Sequence, residues 1–161
     1  MKERREWSIE TEKCSGKDFI AALDYRKKRV VDFAAMRFNR DEFVLDKISH
    51  SFGFIEPKDG ISSTEVLTEI AHLGGIVDAS VKCALPALKV LTPDDFAQLG
   101  VEVILIMHRP ISDHDGYVDR MGIVNRDGVL KLLTYDDGKS GNKWHRNVGF
   151  LYVAFAFWRS S

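Results

Sequence analysis

Cys14-Ser15-Gly16 places a thiol where a helix would begin, and backbone N–H groups with the positive end of a helix dipole favour a thiolate there. A nucleophilic cysteine also needs a base, and His108 and His114 are the candidates. The same two histidines, with Asp113 and Asp115, form a second constellation, because imidazole and carboxylate groups this close in sequence suit a transition metal. Aspartates around Gly116 have the composition of a calcium loop. Aligning Asp115-Gly116 with the fifth and sixth positions of such a loop puts Ile111 at the first and Gly122 at the twelfth, which excludes an EF-hand. Trp144 and His145 lie between a glycine-containing loop and the terminal apolar run; with Tyr117, at the start of an earlier strand, they are the candidate lining of a ligand mouth. Arg26-Lys27-Lys28-Arg29 could neutralise phosphates. Asp24 and Asp32 bracket that run and no nucleic-acid motif accompanies it, so specific nucleic-acid binding is not expected.

Apolar spacing supplies the elements that must position these groups. Ser15 with Asp18 three residues on makes a capping-box-like start, and Phe19, Ile20, Leu23 and Val30 then predict an amphipathic helix running through the basic cluster. Ser62-Ser63-Thr64-Glu65 is a second capping box. Val66, Ile70 and Leu73 form the apolar stripe behind it, and Gly74-Gly75 offers a left-handed stop. Thr92-Pro93-Asp94-Asp95 opens a short helix that Gly100 closes. Beyond Gly100 the period becomes strand-like, first in the apolar run 101–107. The segments 117–124 and 129–135 then flank Asn125-Arg126-Asp127-Gly128, a hairpin turn signal, and a polar loop follows at 136–142. From Gly149 to Trp158 both alternations are apolar, which predicts an interior strand with Phe155 and Phe157 in the core. Early helices and a late antiparallel meander predict a single α+β domain over residues 1–161, its antiparallel sheet mostly C-terminal and its helices packed on one face.

The composition of the 161 residues narrows the function classes. With 23 Lys and Arg against 24 Asp and Glu the net charge is -1, so no global field draws in nucleic acid or an anionic membrane. Two cysteines, Cys14 and Cys83, make no disulfide framework, and the charged start Met1-Lys2-Glu3-Arg4-Arg5-Glu6 is not a signal peptide. The longest apolar run, Val148 to Trp158, is too short to span a bilayer. A cytoplasmic protein that engages no membrane is the expectation.

The Cys-Ser-Gly triplet at a helix start resembles the nucleophile motif of papain-like cell-wall peptidases, over these three residues only. The resemblance implies a small hydrolase with Cys14 as nucleophile and a strand-borne histidine as base. In the nearest analogue of that strand, Asp119-Arg120-Met121-Gly122-Ile123-Val124, Arg120 stands in the histidine's place. That departure removes the base, and His108 or His114 would have to replace it. The sequence therefore predicts a non-catalytic module, without a cofactor, that binds a small molecule or a protein partner and could form a homo-oligomer through its sheet or apolar helix faces. The alternative is a small hydrolase built on Cys14 and a histidine, or on a metal held by His108, Asp113, His114 and Asp115. A weak nucleic-acid accessory role through residues 26–29 is the second alternative.

Overall fold

The computed structural model describes residues 5–39, 43–112, 118–138 and 143–158. Element order begins β1 (Glu6–Thr11), β2 (Cys14–Ser15), α1 (Gly16–Ala21), β3 (Lys28–Val30), α2 (Asp32–Phe38), β4 (Val44–Leu45) and β5 (Ile48–Ile55). It continues through β6 (Ile61–Ser62), α3 (Ser63–His72), a 3-10 turn (Val81–Cys83), α4 (Ala84–Val90) and α5 (Pro93–Leu99). The last third is β7 (Val103–Ile106), β8 (Ile111–Ser112), β9 (Val118–Arg126), β10 (Val129–Gly138), β11 (Lys143–Trp144) and β12 (Val148–Trp158).

One eight-stranded sheet organises the chain in the order β1-β5-β12-β7-β9-β10-β3, with β8 paired to β9. The expected antiparallel sheet is corrected to a mixed one, because β12 runs parallel to β7 and β10 parallel to β3. Five of its eight strands, β7 to β10 and β12, do come from the C-terminal part, and β1, β3 and β5 join them from the first third of the chain. The helices occupy both faces rather than one. Alternation along β7 sends Ile104 and Ile106 into a large core with Phe19, Phe38, Leu85, Leu88 and Phe96. It sends Leu105 into a smaller core with Val66 and Ile70 of α3. The whole is a single mixed α/β domain.

Capping chemistry explains which helices form where the sequence places them. At α3 the Ser62 hydroxyl accepts from Glu65 N–H at 3.2 Å while the Glu65 carboxylate accepts from Ser62 N–H at 3.1 Å. Thr92 and Asp95 repeat this reciprocal pair at α5, and Gly100 then turns left-handed at φ 68°. The helix expected through the basic cluster ends instead at Ala21. Asp24 stops it: its carboxylate accepts from Arg26 N–H at 3.0 Å and its carbonyl accepts from the N–H groups of Lys27 and Lys28, both at 2.8 Å. Lys28 to Val30 then pair with β10.

The terminal strand is interior, between β5 and β7, yet Phe155 and Phe157 are not core residues. A β-bulge between Val153 and Phe155 changes the register against β5. The extra residue flips the alternation, so Ala156 faces the large core while Phe155 and Phe157 stack on the outer side, their rings 5.7 Å apart and 53% and 51% exposed. Phe155→Ala should accordingly cost about 1 kcal/mol or less, against roughly 3 to 5 kcal/mol for a buried phenylalanine. Urea unfolding would detect the larger loss if the ring were enclosed.

Candidate binding site

The bulge has a consequence on the inner side. Where unbroken alternation would put a phenylalanine, the small side chain of Ala156 stands, and a cavity of about 290 Å3 opens beside it. Val153 and Ala156 of β12 form one wall with Ile48 and His50 of β5. The segment 76–80 forms another, held by Ile76 N–H donating to Val153 O in mid-β12 at 2.9 Å and by Ala79 bridging to His108, just past the end of β7. Leu45, Asp46, Lys82 and Cys83 complete the lining. The cavity thus lies beside β12 beyond the stretch, Val148–Leu151, that pairs with β7.

His50 is the buried polar side chain of its lining. The ring is 8% exposed, lies parallel to the Phe52 ring at 5.8 Å and 3°, and its Nδ1 has no hydrogen-bond partner among the described residues. Burial lowers its pKa below the usual histidine value, so the neutral imidazole prevails at pH 7. A buried ring nitrogen without a partner is costly unless something else satisfies it. Cys83 is also fully buried, and desolvation pushes its thiol up to about 12, which leaves it an inert wall group. Sequence reasoning missed both residues and Ala156. The one available signal was a histidine on the same alternation as Phe52 and Phe54.

No known family model, curated protein or solved structure matches this chain.

The sequence-derived candidates fall elsewhere. Cys14 is half-buried on β2, and burial, with Asp18 nearby, raises its pKa, the reverse of an activated nucleophile. Among the described residues no hydrogen bond joins it to a histidine. His108 is fully enclosed, and both ring nitrogens are engaged: Nδ1 donates to Arg109 O at 2.7 Å and Nε2 accepts from Met121 N–H at 2.8 Å. Burial drives its pKa to about 4, the positive charges of Arg120 and Arg37 assisting. Arg120 itself is buried, paired with Asp137, and donates from Nε to His108 O at 3.3 Å. Asp113, His114, Asp115 and Tyr117 lie outside the described residues. Among the described residues no group of three or more His, Cys, Asp or Glu is arranged to hold a metal.

Trp144 is half-buried and donates from Nε1 to Ser63 Oγ at 2.9 Å, holding β11 against the start of α3, while His145 is exposed. Neither lines the cavity. The cations of residues 26–29 do not form one free face: the Lys28 ammonium donates to Lys89 O, and the Arg29 guanidinium sits 4.1 Å over the Tyr25 ring. No helix among the described residues is long and apolar enough to cross a membrane.

Proposed function

We propose that this protein is a non-catalytic binding module for a small, mainly apolar molecule held in the cavity beside β12. The observation that carries this reading is the unpartnered Nδ1 of buried His50 in a cavity whose other walls are mostly apolar. An occupant would remove apolar surface from water, each buried methylene contributing about 0.8 kcal/mol. Reorientation of the imidazole would let one polar group of the occupant meet a ring nitrogen. The states of Cys14 and His108 support a binding role over a hydrolytic one, since the thiol is held protonated and the imidazole has no nitrogen left for a reacting group.

The test is ligand-observed NMR with hexan-1-ol as probe, read together with the imidazole signals of His50. Binding should shift those signals, and Ala156→Phe, which puts a ring into the cavity, should weaken binding at least about tenfold, roughly 1.4 kcal/mol. Unchanged affinity in Ala156→Phe, or binding that leaves His50 unmoved, would count against this site.

A further inference from the structure

Across the segment 76–80 from the cavity lies a second recess of about 420 Å3, and Asp78 and Ser80 line both. The recess is polar and carries two guanidinium groups, Arg37 from the last turn of α2 and Arg109 from the end of the loop after β7. Arg37 is half-buried and has no ion pair or hydrogen bond from its side chain among the described residues. The Arg109 side chain is 70% exposed and, among the described residues, its ion pair is with Asp78, at a loose 3.6 Å. Among the described residues lining the recess, one carboxylate therefore faces two guanidiniums. On the cavity side Asp46 and Lys82 offset each other, so the described residues that line the two recesses carry one positive charge in excess. The field of Arg37 extends as far as buried His108, whose protonation it opposes.

We infer that the ligand is an amphipathic monoanion: a small carboxylic acid whose hydrocarbon body fills the cavity and whose carboxylate passes Ser80 to reach Arg37 and Arg109. This rests on the binding role proposed above and specifies its chemistry. A guanidinium offers parallel N–H donors that match the two oxygens of a carboxylate, and such charge-assisted bonds are about twice as strong as neutral ones. Asp78 sets the charge limit. It already supplies one negative charge between the two recesses, so a dianionic head would bring a second like charge against it.

Hexanoate and hexan-1-ol share a chain length and differ in the head, so the two separate the contributions of the recesses. Titration at pH 7 and low salt should show hexanoate binding at least about tenfold more tightly, a preference that shrinks as salt screens the arginines. Arg37→Gln should abolish the preference and leave hexan-1-ol affinity unchanged, with a melting temperature within a degree or two of the wild type because no ion pair or hydrogen bond among the described residues is lost. Equal affinities in the wild-type protein, or a preference that survives Arg37→Gln, would overturn the inference while leaving the cavity as a binding site. Failure of both probes to bind would overturn the binding role as well.

Discussion

Replacing Asp137 with alanine should destabilise the protein by about 3 to 5 kcal/mol, because it strands a positive charge in the interior. Asp137 is 1% exposed and its partner Arg120 4% exposed. A second β-bulge makes the pair: the register of β10 against β9 shifts between Asp136 and Gly138, and the intervening Asp137 comes to meet Arg120. Arg120 also reaches His108 O, so the strand before the recess and the hairpin beyond it share one buried polar network. With the carboxylate gone, the guanidinium keeps, among the described residues, that 3.3 Å contact alone, and most of its desolvation cost is uncompensated. For a domain of this size the loss corresponds to a fall in melting temperature of roughly 10 °C. The double variant Arg120→Met, Asp137→Leu separates causes. It should recover most of the lost stability, since apolar replacement of both partners leaves no unpaired charge. A double variant as unstable as Asp137→Ala would instead indicate that packing shape, and not charge, is what the pair contributes.

The two bulges also explain how far the sequence could be read. Elements whose signals are local were legible: the reciprocal cap at Ser62, the N-cap at Thr92, and the Asp127-Gly128 turn, where both residues take positive φ, at 53° and 84°. Asp24 reads from sequence only as an acidic neighbour of the basic run, and the apolar spacing of Leu23 and Val30 suggests a continuous helix; the Asp24 side-chain bond to the backbone outweighs a weak periodicity. β1 alternates Trp7, Ile9 and Thr11 inward, a strand pattern hidden beside the charged start, and β5 hides because serines occupy its outer alternation. Register is different in kind. A single inserted residue at Ala154 reverses every later side chain, and nothing in a run that is apolar on both alternations marks where the insertion falls. The cavity depends on that reversal, so its residues were out of reach from sequence. So were the roles of Arg120 and Asp137, which only the second bulge brings together.

Stability should fall by about 3 kcal/mol between pH 7 and pH 4 through His108 alone. In the unfolded chain the imidazole titrates near 6.5, whereas in the folded protein it is held down to about 4. Between those values the unfolded state binds a proton that the native state refuses, so acidification favours unfolding; the stabilisation is complete above about pH 6.5 and is lost as pH falls towards 4. His50, also lowered by burial, acts in the same direction. Protonating His108 requires more than desolvating a charge. Nε2 would have to stop accepting from Met121 N–H, which would lose its partner on β9, while Arg120 and Arg37 add repulsion. Urea unfolding at several pH values gives the slope, and the imidazole NMR shift of His108 gives its pKa even if a substituted protein does not fold. A measured value near 6.5 would refute the enclosed, doubly bonded ring. The same proton should loosen the binding site, because Arg109 N–H donates to Ala79 O at 2.7 Å and the His108 backbone bridges to Ala79. That contact holds the segment separating the apolar cavity from the arginine recess, so affinity for hexanoate should weaken below pH 5 before the protein as a whole unfolds, and faster than protonation of the ligand alone would require.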